Sequence, residues 1–192
     1  MRAGAVILTL NEEPRIQTCL EHLKPHLSHL LVLDDESTDR TVELAAEQAD
    51  KVVVKHVGPW MAEKRNYAIS LIPGWCEWIL FCDADERFDS YWLRNIKKAI
   101  APMVPEGKKV CVRFPRLNMP KPDLTYPDYQ VRFFPNDPDY EWRNEGDPSR
   151  GNDVLYIKSA DKRVDQLAGT TTLDYCPILH LPRRPDIRRP WW

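Results

Sequence analysis

The sequence predicts an α/β protein built on a mostly parallel sheet, and three observations carry that expectation. Strand and helix signals alternate through the first hundred residues with short connections, the pattern that layers helices on a parallel sheet. The apolar run Trp78-Ile-Leu-Phe-Cys82, too short for a typical helix, stops at Asp83-Ala84-Asp85-Glu86, as a buried strand does when it delivers carboxylates to a pocket. Thirteen of the seventeen prolines lie beyond residue 100, which predicts short strands and loops there rather than long helices.

Residues 6–8 form the first strand. Asn11 is placed to cap the following helix, Pro14 suits a first turn, and Ile16, Cys19, Leu20 and Leu23 recur at i, i+3, i+4 and i+7 until Pro25. A second strand, 30–33, runs into Asp34-Asp35-Glu36-Ser37-Thr38-Asp39. Val42, Ala45, Ala46 and Ala49 then mark a second helix with Ser37, Thr38 or Asp39 as its cap. Residues 52–54 are a third strand and 61–70 a third helix. The fourth strand, 78–82, leads to a helix over 90–100 packed through Leu93, Ile96 and Ile100. Gly58-Pro59-Trp60 is a candidate flap.

With 192 residues the chain suffices for one domain with a real core, or a main domain with a small lobe. We divide it into 1–100, an α/β region, 101–181, a lobe of the same domain, and 182–192, a tail holding four arginines and ending in Trp191-Trp192. A hydrophobic content of 43% and a net charge of −2 give no global attraction to nucleic acid or anionic membrane, so any such contact must be local. The tail is the candidate for it, through a membrane interface or a nucleic acid, with packing on its own domain as the alternative. The five cysteines contain no C-x-x-C and read as reduced thiols of a cytosolic protein. No apolar run reaches the ~18 residues of a membrane span, and residues 3–10 read as a buried strand rather than a signal core.

Residues two apart on extended backbone point to one side, so Asp83 and Asp85 converge, and paired carboxylates suit a hard cation such as Mg²⁺ or Mn²⁺. In open α/β sheets ligands bind beyond the carboxyl ends of the strands. Three such ends, Thr9-Leu10-Asn11-Glu12, Asp34-Asp35 and Asp83-Ala84-Asp85, should line one crevice. Two like charges ~5 Å apart at an effective dielectric of ~20 cost about 3 kcal/mol, so an anionic ligand there requires a bridging cation.

The ordered motifs V-I-L-T-L-N-E-E (6–13), V-L-D-D-E-S-T-D-R-T (32–41), A-E-K-R-N-Y-A (62–68) and W-I-L-F-C-D-A-D-E-R (78–87) resemble family 2 glycosyltransferases of the GT-A fold. They are most similar to small bacterial members that resemble lipopolysaccharide core glucosyltransferases. The resemblance covers about the first hundred residues. It implies a Rossmann-like sheet with helices on both faces, a small mixed β-rich acceptor lobe, a nucleotide-diphosphate sugar donor such as a UDP-sugar, and Mn²⁺ or Mg²⁺. Carried over, Thr9, Asn11 and Glu12 border the nucleotide, Asp34 or Asp35 contacts base or ribose, and Arg65 sits beside the crevice. Asp83 approaches the ribose and Asp85 is the main metal ligand. Glu36 stands where the family usually has glycine, so the turn after the second strand is expected to differ. Arg65 has the alternative of pairing with a helix neighbour such as Glu63 or with an exposed acid.

In the second half, Tyr129-Gln-Val-Arg132-Phe-Phe134 is similar to an x-x-R-L-F strand of these enzymes, with an acid downstream. Glu145 is accordingly the candidate base for an inverting transfer, with Asp128, Asp147 and Asp153 as competitors. Pro177-Ile-Leu-His180 resembles a late histidine that closes on the metal or diphosphate. The expected activity is therefore a metal-dependent inverting glycosyltransferase acting on a hydroxyl of a saccharide, lipid-linked glycan, protein or modified nucleic acid, in the cytoplasm or peripherally at the membrane's inner face. A homo-oligomer is compatible with the compressed lobe. The rivals are a non-catalytic nucleotide-sugar-binding scaffold, a D-x-D phosphotransferase, which would carry its motif after the first strand, and a nucleotidyltransferase, which would need a glycine-rich loop there.

Overall fold

A computed structural model describes residues 1–101, 111–118, 128–145, 153–166, 171–172 and 178–180. The first half follows the alternation in order: β1 (Ala3–Thr9), α1 (Ile16–Leu23), β2 (His29–Asp34), α2 (Thr41–Ala46), β3 (Lys51–Val54), α3 (Met61–Ser70), β4 (Trp78–Asp83), β5 (Glu86–Arg87) and α4 (Ser90–Ile100). Strands β6 (Val112–Asn118), β7 (Asp128–Pro135), β8 (Tyr140–Asn144), β9 (Asp153–Ile157), β10 (Lys162–Arg163), β11 (Thr171–Thr172) and β12 (Ile178–His180) come after.

The main sheet runs β3-β2-β1-β4-β7-β6-β12-β5, with β11 on β6. Its first four strands are parallel, and β7 then enters antiparallel to β4. Central strands buried on both faces read as continuous apolar runs, which is why β1 and β4 lack the polar alternation of a half-exposed strand. Residues 3–10 thus contribute the middle of the sheet, and β3 is an exposed edge. Among the described residues, no helix is long and apolar enough to cross a membrane.

Side chains of opposite parity fill two cores. Ala3, Ala5 and Ile7 of β1 pack with Leu20 and Leu23 of α1, Ala45 of α2 and Trp92 and Ile96 of α4. Val6 faces the other way, toward Ala62 and Ala68 of α3 and toward Trp142, Leu155 and Ile157 of a separate three-stranded sheet, β10-β9-β8. Both cores use residues from either side of residue 100. Trp78 of β4 stacks on Phe133 of β7 with centroids 5.0 Å apart, and Trp92 of α4 meets Phe114 of β6 edge-on at 4.7 Å. Four cysteines, Cys19, Cys76, Cys82 and Cys111, are free and buried, and Cys176 lies outside the described residues.

Two local expectations are corrected. Asn11 does not cap α1: the Glu12 carbonyl accepts from Arg15 N and Ile16 N, a turn that delays the helix to Ile16. The second helix closes at Ala46 rather than reaching Ala49, and of its three candidate caps Asp39 is the one that accepts from Thr41 N, at 3.0 Å. Glu36, where the family usually has glycine, adopts the left-handed backbone that glycine favours, with φ 62°.

Candidate active site

The parallel register places the polar strand ends in one row. Thr9 pairs with Asp34 and Leu8 with Asp83, so the loops after β1, β2 and β4 leave the sheet at a common edge. Asp34 is fully buried there: its Oδ2 accepts from Thr9 Oγ1 at 2.8 Å and Ser37 Oγ at 2.6 Å, and its Oδ1 accepts from Ser37 N at 2.7 Å. Asn11, with φ 54°, ties the first loop to the second: its N–H donates to Ser37 Oγ and its Oδ1 accepts from Thr38 N at 2.9 Å. Glu12 donates its backbone N–H to Thr41 Oγ1, and its carboxylate pairs with Arg15 at 2.9 Å. The structure thus brings Thr9, Asn11, Glu12 and Asp34 together as one interlocked pair of loops.

Asp35 stands outside that lock. Its oxygens meet His56 Nδ1 at 2.8 Å and Lys64 Nζ of α3 at 2.5 Å, beside an exposed imidazole. Arg65, the next residue of α3, turns inward instead. Its guanidinium lies over the Trp142 and Phe81 rings, 4.2 and 5.4 Å from their centroids, and its Nε is 2.9 Å from Asp153 Oδ2 without hydrogen-bond alignment. Its partner is therefore Asp153 of β9, whose side chain is 6% exposed, and neither Glu63 nor an exposed acid.

The Asp83–Glu86 turn is held from beneath. Arg132 of β7, only 1% exposed, donates Nη2 to Asp83 Oδ2 at 2.8 Å and to Glu86 Oε1 at 2.5 Å, while Glu86 Oε2 accepts from Asp83 N at 3.1 Å. Burial opposes the Arg132 charge, but the two adjacent carboxylates overcome it and its pKa rises. Burial likewise pushes the Glu86 carboxyl above the ordinary range, with Arg132 pulling the other way. Asp85 sits at the turn, 8% exposed. The backbone of His180 pairs with Glu86 across β12 and β5, one strand from the turn; its side chain, like that of Asp128, lies outside the described residues, as do Asp147 and residues 182–192. Among the described residues, no three His, Cys, Asp or Glu side chains cluster as a ready metal site.

Glu145 lies just past β8, where Tyr156 donates its hydroxyl to Oε1 and Arg163 Nη1 contacts Oε2 at 3.0 Å. The hydrogen bond to Glu145 raises the Tyr156 pKa. Register pairs Glu141 with Tyr156 and Tyr156 with Arg163, so these partners share the Glu141 face of the small sheet, opposite Trp142.

Sequence reasoning passed over Arg132 and Glu86 as site residues. The signal was present: a lone arginine between Val131 and Phe133-Phe134 in a strand demands a buried carboxylate.

Parallel strands whose polar and acidic ends share one edge, helices on both faces and a small added sheet define a GT-A glycosyltransferase fold. Residues 5–162 match the description Glycosyl transferase family 2, and the chain belongs to that family. An uncharacterized glycosyltransferase of Rickettsia felis is 38% identical over 88 residues, 45% of this chain and 29% of that protein. The crystal structure of S. aureus TarS aligns with 95% of this chain and 37% of its own, at 16% identity and a TM-score of 0.61. Glucosyl-3-phosphoglycerate synthase of Mycobacterium tuberculosis, solved with Mn²⁺, UDP-glucose and phosphoglyceric acid, aligns over 60% of this chain and 44% of its own, at 21% identity and a TM-score of 0.48. The chain spans less than a third of the length of the curated relatives it matches first, with 29% and 28% covered.

Proposed function

We propose that the chain takes a sugar from a nucleotide-diphosphate donor, in the simplest case a UDP-sugar, and transfers it with inversion to an acceptor hydroxyl in a reaction requiring Mn²⁺ or Mg²⁺. The observation that carries this reading is the register row that sets Thr9, Asp34 and the Asp83–Asp85 turn at one edge of the sheet. Cations of this kind bind through one or two carboxylates and take further oxygens from substrate phosphates. Asp85 with Asp83 fits that donor set, and His180 is the third candidate ligand. When bound, the ion would offset charge developing on the departing diphosphate.

The chain's own residues do the remainder. Asp34 is saturated by internal donors, so Asp35 is the carboxylate that accepts from the base or ribose. Thr9, Asn11 and Glu12 shape the crevice wall, and Arg65 fixes α3 behind it. Glu145 removes the acceptor proton, oriented by Tyr156 and Arg163. Its competitor Asp153 is engaged with Arg65. The acceptor hydroxyl belongs to a saccharide, lipid-linked glycan, protein or modified nucleic acid on the cytoplasmic side. The regions 1–100 and 101–181 act as donor and acceptor parts of one domain, and the 182–192 tail provides a local contact to membrane or nucleic acid.

Calorimetric titration of nucleotide diphosphates and nucleotide sugars, with Mn²⁺ and with chelator, tests the reading on wild type and Asp85→Ala. Binding of one nucleotide strengthened by Mn²⁺, with that gain lost in Asp85→Ala, is the expected result. Tight binding indifferent to both the ion and Asp85 would overturn the mechanism, and binding without donor turnover would mark a scaffold.

A further inference from the structure

We infer that Arg132 is the positioning residue of the acidic turn, acting through Glu86 to fix the backbone from which Asp85 projects. The inference rests on the donor-site reading above but concerns residues that reading does not use. Three contacts close a ring around the turn: Arg132 Nη2 to Asp83 Oδ2, Arg132 Nη2 to Glu86 Oε1, and Asp83 N to Glu86 Oε2. The ring fixes both the carboxylate and the amide of Asp83, leaving only Ala84 and Asp85 between its two anchored ends. From the α1 side, Arg87 adds donors to the Ala84 carbonyl at 2.9 Å and the Glu86 carbonyl at 2.7 Å, and is itself held on Thr18 Oγ1 at 2.6 Å.

Stability alone is a poor reason for this arrangement. Arg132 is 1% exposed and Glu86 fully buried, and the Nε and Nη1 of Arg132 have no hydrogen-bond partner. A buried ion pair of that kind is often replaced by apolar side chains at no cost to folding. The guanidinium does what an apolar pair cannot: it fixes the direction of the Asp83 carboxylate and, through Glu86, the Asp83 amide, and so holds both ends of the short turn that carries Asp85. Outer-shell partners of this kind orient ligands and change metal affinity by about 10–100-fold when removed.

The test compares wild type with the paired variant Arg132→Met/Glu86→Leu, which leaves no charge buried alone, and with Arg132→Lys, which keeps the charge but not the fork. Chemical denaturation first establishes that each is folded. Amide hydrogen exchange at Asp83 in the free proteins and Mn²⁺-dependent binding of UDP are then measured. The expected result is Asp83 exchange at least about tenfold faster in the paired variant and an Mn²⁺-dependent gain in UDP affinity about 10–100-fold smaller, with UDP binding in chelator unchanged. Arg132→Lys is expected to shift both readouts in the same direction. Unchanged exchange and an intact Mn²⁺ gain in a folded paired variant would overturn the inference. If wild type itself shows no Mn²⁺ gain, the donor-site reading fails, and the exchange rates still decide whether Arg132 positions the turn.

Discussion

Glu36 holds its backbone at φ 62° on an exposed turn, and Asn11 holds φ 54° on the loop beside it. The left-handed region costs an L-residue roughly 1–2 kcal/mol, less for asparagine, whose side chain bonds locally. Asn11 uses that tolerance to reach Thr38 N, while Glu36 has no comparable hydrogen bond among those of the turn. Replacing Glu36 with glycine removes the steric cost and adds some unfolded-state entropy, so Glu36→Gly is expected to stabilise by about 0.5–1 kcal/mol. A urea midpoint that stays put or falls would show that the turn carries no strain. The sequence flagged Glu36 as a departure from glycine but could not say whether backbone or side chain would give way. The answer depends on Asp34, whose carboxylate accepts from Ser37 N and Oγ and so fixes the turn around Glu36.

Helix α3 shows how an element with clear bounds conceals its purpose. Its span was legible from the pattern, but its joint to β8 was not: Asn66 Nδ2 donates to the Trp142 carbonyl and Asn66 Oδ1 accepts from Trp142 N, both at 2.8 Å, across 76 residues of chain. One helical turn thus sends Lys64 to Asp35 at the crevice, Arg65 to Asp153 and Asn66 to the small sheet. Asn66→Ala leaves both polar groups of a buried strand residue unsatisfied, at about 1–3 kcal/mol each. A loss of at least ~2 kcal/mol on denaturation is therefore expected; a loss below ~0.5 kcal/mol would mean that the small sheet is held by its apolar contacts alone.

At the scale of the whole molecule, β7 from the second half lies against β4 from the first, and both cores draw on both halves. We expect the halves to unfold together, with tryptophan fluorescence and far-ultraviolet circular dichroism tracing one coincident transition; two separated transitions would indicate independent units. The sequence by itself determined the alternation of strands and helices, the apolar runs of the central sheet and the presence of carboxylates at the ends of β1, β2 and β4. These are local properties, written in periodicity and in where apolar runs stop. Only the tertiary structure decided that Asp34 is locked away while Asp35 is not, that Arg65 answers to Asp153, and that Arg132 braces Asp83 and Glu86. Those pairings join residues 25 to 88 positions apart, and a buried charge finds its partner through the packing of strands and helices, not through its neighbours in the chain.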